Sequence, residues 1–78
     1  MLFNKRKRII INIEGMHCDA CAKRIDNALE ELGDIDSVKV DLKKKLVTVF
    51  YDNNIDITLL QKTIEELGYT VTGIKEKH

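Results

Sequence analysis

The chain lacks proline and tryptophan, and its 78 residues include only four glycines and two cysteines. So few turn-forming residues predict regular elements joined by short connections. A chain of this length forms one domain, and its core is too small for the deep pocket of a typical small-molecule enzyme. A disulfide between Cys18 and Cys21 would close a loop too short to stabilise the fold.

The chain also lacks an excess of charge of one sign, because 13 Lys and Arg residues balance 13 Asp and Glu residues. A general nucleic-acid-binding protein needs a basic surplus, so we expect no nucleic-acid partner. No apolar run exceeds that of residues 9–11, far short of the ~20 residues of a membrane span. The apolar stretch after the basic start is too short for a signal peptide, which favours a cytoplasmic protein.

Hydrophobic periodicity predicts six elements in the order β-α-β-β-α-β. Alternation predicts strands at residues 8–14, 35–42, 46–51 and 69–75, with Ile9, Ile11, Ile13, Val47, Val49, Tyr51 and Val71 inward. Two apolar stripes at helical spacing predict helices that end near Gly33 and Gly68. The second helix is expected to be capped by Asp56, or by Thr58 with Gln61 in a capping box.

The two halves of the chain resemble each other, since residues 29–33 recur nearly unchanged as residues 64–68. Two βα units joined by a hairpin predict an α+β, ferredoxin-like βαββαβ sandwich, with a four-stranded antiparallel sheet and both helices on one face. Right-handed crossovers put the first and third strands in the centre. We expect the domain to cover residues 8–75, between a basic tail at 1–7 and a short tail at 76–78.

The sheet face away from the helices is expected to carry Ile10, Leu46 and Phe50. Three such side chains on adjacent strands would form a small apolar patch, which predicts weak self-association beside the simpler interpretation of scattered exposed groups. The basic run at residues 5–8 predicts a solvated tail, or a surface that meets a membrane-bound or acidic partner.

Residues 15–21 contain the two cysteines, with Cys18 on the loop before the first helix and Cys21 in its first turn. Backbone N–H groups and the positive end of the macrodipole at a helix N-terminus favour thiolate over thiol. Two adjacent thiolates either bind a soft metal or exchange with a disulfide, and the residues alone leave both chemistries open.

The number of available ligands bears on the choice of metal. Structural zinc takes four ligands, whereas this chain offers the cysteine pair, His17 and the terminal His78. Soft thiolates select Cu(I), and two of them suffice in a near-linear arrangement. Two thiolates and one Cu(I) together carry one negative charge, which the helix N-terminus helps to stabilise. We therefore expect Cu(I), with zinc or cadmium as the alternative.

The segment Gly15-Met16-His17-Cys18-Asp19-Ala20-Cys21, between a first strand and a first helix, resembles the G-M-x-C-x-x-C signature of the heavy-metal-associated domain. The similarity covers residues 8–75. Members of this family are cytosolic copper chaperones or N-terminal metal-binding domains of P-type metal-transporting ATPases. The resemblance implies Cu(I) bound by Cys18 and Cys21 and delivered by thiolate exchange to the metal-binding domain of a P-type copper-transporting ATPase.

The resemblance also implies roles for three neighbours of the cysteines. Met16 is expected to be buried as an anchor for the loop. Tyr69 matches a position where bacterial chaperones tend to have Tyr, and we expect it to pack over the sulfurs. His17 occupies the variable position, where zinc-transporting relatives often have an Asp ligand. We consider His17 a conditional third ligand, beside its interpretation as an exposed loop residue.

Other functions stay open beside the carrier. One is a metal-binding regulatory domain of a P-type metal ATPase. Another is a thiol–disulfide oxidoreductase, which uses the same Cys-x-x-Cys spacing, although the chain has no proline for the cis-proline loop of the thioredoxin fold. We expect a carrier and no enzyme, and we also consider a copper-bridged homodimer.

Overall fold

The computed structural model describes residues 7–51 and 54–77. Its elements follow the expected order: β1 (Lys7–Glu14), α1 (Asp19–Glu30), β2 (Ser37–Asp41), β3 (Leu46–Tyr51), α2 (Ile57–Glu66) and β4 (Thr70–Lys77). The α+β, ferredoxin-like sandwich is confirmed. Most of the predicted basic tail (residues 1–6), two residues of the loop after β3 (52–53) and the terminal His78 lie outside the described residues.

The sheet has the strand order β2-β3-β1-β4, and every pairing is antiparallel. β1 and β3 are therefore central, as predicted. The inward side chains of these two strands meet the buried side chains of both helices in one core, which comprises Ile9, Ile11, Ile13, Met16, Ile25, Leu29, Val47, Val49, Tyr51, Leu60, Ile64 and Tyr69. Both helices thus cover the same face of the sheet.

The ends of the elements correct several expectations. The Asp56 side chain caps α2 by accepting a hydrogen bond from the Leu59 backbone N–H at 3.1 Å. The alternative cap at Thr58 is wrong, because Thr58 lies inside the helix. β4 extends to Lys77, beyond the predicted residue 75, because its last residues still pair with β1. β2 covers Ser37–Asp41, where residues 35–42 were predicted.

The apolar side chains predicted for the open face are less exposed than expected. Ile10, Leu46 and Phe50 are each half-buried. The ammonium group of Lys39 lies 6.0 Å from the centre of the Phe50 ring, so a lysine side chain shares this face with the apolar groups. Among residues 7–51 and 54–77, no helix has the length and apolar character needed to cross a membrane.

Candidate metal-binding site

The loop between β1 and α1 begins with a residue in a left-handed conformation. Gly15 has φ +97°, which side chains other than glycine rarely adopt. A Cβ atom at this position would also lie 3.4 Å from the Tyr69 ring. The next residue, Met16, is only 1% exposed and packs in the core, as predicted. This buried side chain fixes the loop to the core immediately before the cysteines.

The two cysteines lie where the loop becomes α1. Cys18 is the N-cap residue, and its carbonyl oxygen accepts hydrogen bonds from the N–H groups of Cys21 at 3.1 Å and Ala22 at 3.2 Å. This first turn places the two Sγ atoms 3.5 Å apart. Cys18 is exposed and Cys21 is half-buried, and both are free thiols. The sulfurs are therefore close enough to act together and open to solvent on one side.

The surroundings of Cys21 favour its thiolate. A hydrogen bond from the Tyr69 side chain, assisted by the Cys18 side chain and the His17 backbone, lowers the pKa of Cys21 from its usual 9.0 to about 7. Partial burial opposes this shift. The same bond raises the pKa of Tyr69 above its usual 10.0, because ionising the hydroxyl would remove its proton from the sulfur. Cys21 is thus substantially ionised near neutral pH.

Tyr69 joins the second half of the fold to this site. It follows Gly68, which has φ +102°, and it directly precedes β4, which pairs with β1 next to the loop. Its side chain is 9% exposed. The family resemblance predicts that Tyr69 packs over the sulfurs. The hydrogen bond to Cys21 was not predicted, because the sequence shows only that this position has a hydroxyl, which phenylalanine lacks, and not where the hydroxyl points.

The other predicted ligand is not gathered with the sulfurs. His17 is exposed on the loop, and no group of three or more His, Cys, Asp or Glu side chains suited to a metal occurs within residues 7–51 and 54–77. The site in this part of the chain is a pair of sulfurs. Coordination by His17 stays a prediction.

Comparison with known proteins agrees with this geometry. The family model described as heavy-metal-associated domain matches residues 10–70. The copper chaperone CopZ of Staphylococcus haemolyticus is 41% identical over 63 residues, which are 80% of this chain and 93% of that protein. The solved structure of a CopZ metallochaperone has a TM-score of 0.79 at 32% identity, and the match covers 83% of this chain and 98% of the other.

Two further solved structures, both of N-terminal domains, have the same fold. The N-terminal domain of a potential copper-translocating P-type ATPase from Bacillus subtilis, solved in its Cu(I)-loaded state, has a TM-score of 0.79 at 29% identity, with 92% of this chain and 91% of that domain covered. The N-terminal domain of ZntA, solved in its Zn(II) form, has a TM-score of 0.76 at 25% identity, with coverages of 92% and 93%.

Proposed function

Because this chain belongs to the heavy-metal-associated domain family, we propose that it carries Cu(I) on Cys18 and Cys21. We propose further that it delivers the ion by thiolate exchange to the metal-binding domain of a P-type copper-transporting ATPase. The observation that carries this proposal is the pair of Sγ atoms 3.5 Å apart in an exposed loop at the N-terminus of α1. A reducing compartment keeps such thiols free, from which we infer a cytoplasmic location.

The charge of the site suits a monovalent ion. Two thiolates and one Cu(I) leave one negative charge, and α1 presents the positive end of its macrodipole beside it. The N–H groups of Asp19 and Ala20 precede the first helical hydrogen bond, so they point toward the same end. The Tyr69 hydrogen bond further stabilises negative charge on Cys21.

The spacing of the sulfurs leaves a small adjustment for the metal. With the Zn–S bond length of about 2.3 Å as a scale, a tetrahedral angle separates two sulfurs by about 3.8 Å and a linear arrangement by about 4.6 Å. The observed separation is 3.5 Å. Linear coordination therefore needs the sulfurs to part by roughly 1 Å, which rotation of the exposed Cys18 side chain can provide.

Exposure of the loop suits stepwise transfer. A partner's thiolate binds Cu(I) beside Cys18 and Cys21, so that the ion is held by three sulfurs. One sulfur of this chain then leaves, the partner's second sulfur binds, and the remaining sulfur of this chain leaves last. Each Cu–S bond that breaks follows the formation of another, so the ion is held by two or three sulfurs throughout. Cys18 is exposed, which leaves its sulfur accessible to a partner's thiolate.

Anaerobic titration with Cu(I) against a coloured chelator tests the binding step. We expect about one Cu(I) per chain, with tight binding lost in Cys18→Ser and in Cys21→Ser. His17→Ala serves as the control in the same loop and should keep its Cu(I), because two sulfurs suffice. Circular dichroism checks that the serine variants fold. Wild-type affinity in either serine variant would end the proposal.

Delivery is tested by mixing the Cu(I)-loaded chain with the purified metal-binding domain of a copper-transporting ATPase and separating the two. Copper should move to the domain without being captured by a chelator present in the buffer. Capture of the copper by the chelator before it reaches the domain would mean release into solution rather than direct exchange. Sedimentation at excess Cu(I) would reveal a copper-bridged homodimer, in which the exposed Cys18 residues of two copies share the ion.

Zinc is the second candidate cargo, favoured by the likeness to the ZntA domain in its Zn(II) form. Here the position before the first cysteine is His17, which lies on the exposed loop. Competition between Cu(I) and Zn²⁺, repeated with His17→Ala, separates the two. Zinc binding that exceeds copper binding and is lost in His17→Ala would favour the zinc carrier.

Two further functions are distinguished by simple measurements. The likeness to an ATPase domain favours a regulatory domain of a transporter, which a reading frame continuing beyond His78 into apolar spans would support. The lowered pKa of Cys21, about 7, is typical of Cys-x-x-Cys redox proteins as well. Reduction of insulin disulfides should therefore be measured, and a metal carrier should show negligible turnover.

A further inference from the structure

The open face of the sheet, opposite the helices, carries positive charge along β1 and β4. Successive side chains of a strand point to opposite faces, so Arg8 and Ile10 point away from the helices, because their neighbours in β1 are buried in the core. Residues paired across antiparallel strands share a face. Arg8 pairs with Lys77, and Ile10 pairs with Lys75. Three exposed cations therefore surround Ile10 on this side.

The positive charge continues across the whole sheet. Ile10 pairs with Thr48 in β3, and Thr48 pairs with Lys39 in β2. One row thus runs through all four strands, with Ile10 and Thr48 at its centre and the exposed Lys39 and Lys75 at its two ends.

The turn between β2 and β3 adds two cations at the edge of this face. Lys43 and Lys44 border the same shallow depression as Ile10, Leu46 and Thr48. We define the basic sheet face as six exposed residues: Arg8, Lys39, Lys43, Lys44, Lys75 and Lys77.

Few acidic groups oppose this charge. Asp41 is the last residue of β2, and its side chain accepts a hydrogen bond from the Lys44 backbone N–H at 3.0 Å. Glu14 follows at the end of β1, next to the cysteine loop.

The helices have the opposite character. The helices and the C-cap residue of α1, Glu31, present acidic side chains against the cations Lys23, Arg24 and Lys62; the acidic residues of the helices are Asp19, Asp26, Glu30, Glu65 and Glu66. The balance of 13 basic and 13 acidic residues in the chain thus hides a separation of charge between its two sides.

We propose that the basic sheet face adsorbs to the surface of an anionic phospholipid bilayer. Clusters of about 4–8 Lys and Arg residues are the size that anionic membranes attract, and each cation near the surface strengthens binding about fivefold. A bilayer meets the protein on one side only, so the acidic helices stay away from it. The sequence places Lys5 and Arg6 directly before β1, which adds charge of the same sign.

Adsorption in this orientation leaves the cysteine loop open. The loop follows the end of β1, beyond Glu14, and Cys18 is exposed at the start of α1. A chain held by its sheet face therefore keeps its sulfurs available to a partner domain that is anchored in the same membrane. Adsorption itself needs no metal. This inference can therefore fail while the proposed function holds, and the proposed function can fail while this inference holds.

Sedimentation with vesicles tests the proposal on the copper-free full chain. We expect binding to vesicles of phosphatidylglycerol and phosphatidylcholine in equal amounts, suppression by salt, and no binding to phosphatidylcholine alone. Lys75→Glu on the sheet face should weaken partitioning about fivefold or more, and Lys39→Glu/Lys75→Glu about 25-fold or more. Lys62→Glu makes the same charge change on α2 and should stay within about twofold. If circular dichroism shows that Lys75→Glu fails to fold, the milder change Lys75→Gln replaces it.

Several results would overturn the proposal. Equal binding to neutral vesicles would mean that charge is not what is recognised, and equal losses in Lys62→Glu and Lys75→Glu would mean that the sheet face is not the surface used. Displacement from vesicles by inorganic phosphate at matched ionic strength would indicate a single phosphate site. Tighter binding to a DNA oligonucleotide than to vesicles, at equal phosphate concentration and ionic strength, would favour a nucleic-acid partner.

Discussion

Tyr69 connects the chemistry of the site to its shape. Its ring limits the space above Gly15, and its hydroxyl stabilises the Cys21 thiolate. Because the side chain is almost buried, it cannot move aside without disturbing the core. Tyr69 thus holds the loop in position and stabilises negative charge on the Cys21 sulfur.

Replacing Tyr69 with Phe should therefore raise the pKa of Cys21 from about 7 toward its usual 9.0, since the largest cause of the lowering is removed. The rate of alkylation of Cys21 by iodoacetamide, followed by mass spectrometry of the cysteine peptide, should reach half its maximum at a higher pH. Tyr51→Phe removes a buried hydroxyl outside the site and should leave the midpoint near pH 7. An unchanged midpoint in Tyr69→Phe would contradict the hydrogen bond.

The same bond makes the stability of the apo-protein depend on pH. A thiol whose pKa is lower in the folded chain stabilises the fold above its unfolded pKa, and this contribution is lost as pH falls through the folded value. The free energy of unfolding should therefore rise between pH 7 and pH 9. Urea unfolding at several pH values measures this rise. It should be smaller in Tyr69→Phe, and a slope unaffected by the substitution would show that another group causes it.

Gly15 is the second residue on which the loop depends. Its φ of +97° costs any other residue roughly 1–2 kcal/mol, so Gly15→Ala should lower the free energy of unfolding by about that amount. Gly33→Ala is a matched control, because Gly33 has the same φ but an added Cβ would meet nothing within 4 Å. Equal losses in urea unfolding would assign the cost to the backbone, and a much larger loss in Gly15→Ala would assign it to the Tyr69 ring.

For single residues, the sequence predicts which side chains belong to the candidate site better than it predicts their contacts. The spacing of Cys18 and Cys21 and the family signature around Met16 could be recognised in the sequence alone. The hydrogen bond between Tyr69 and Cys21 could not, because it depends on how β4 pairs with β1 and on the direction of one side chain. Hydrophobic periodicity reports which face a residue occupies and carries no information about where a hydroxyl points.

At the level of the helices and strands, substitution can test directly which residue caps α2. Asp56 accepts a hydrogen bond from the Leu59 N–H, and loss of such a cap costs about 1 kcal/mol. Asp56→Ala should lower the free energy of unfolding by that amount in urea. Thr58→Ala should have a much smaller effect, since Thr58 is exposed inside the helix. A larger loss in Thr58→Ala would restore the capping box that the structure contradicts.

The repeated segments show what a pattern predicts of an element and where it stops. Both repeats form the same closing turn, in which the N–H of Leu32 bonds to Leu29 and that of Leu67 bonds to Ile64, each at 3.1 Å. α1 nevertheless ends at Glu30 and α2 at Glu66, which are not equivalent positions in the repeat. Helix ends fray over one or two residues, so the pattern identifies the turn but not the last helical residue.

For the whole molecule, the strand order explains why the site is held firmly. β1 leads into the cysteine loop and pairs with β3 on one side and β4 on the other. The order was predictable, because right-handed crossovers allow few alternatives. The separation of charge was not, since it appears only when the register brings lysines of β2 and β4 into one row with Ile10.

Two neighbouring isoleucines of β1 test whether the stability of the fold comes from the sheet face that the helices cover rather than from the open face. Ile11 is fully buried beneath the helices, so Ile11→Ala should cost about 2–5 kcal/mol. Ile10, its neighbour, is half-buried on the open face, and Ile10→Ala should cost about 1 kcal/mol. Urea unfolding measures both losses. Each variant, where folded, should still bind about one Cu(I), because neither side chain lies among the groups at the sulfurs. A comparable loss in Ile10→Ala would show that the open face is packed like a core, and adsorption of that face to a bilayer would then be hard to sustain.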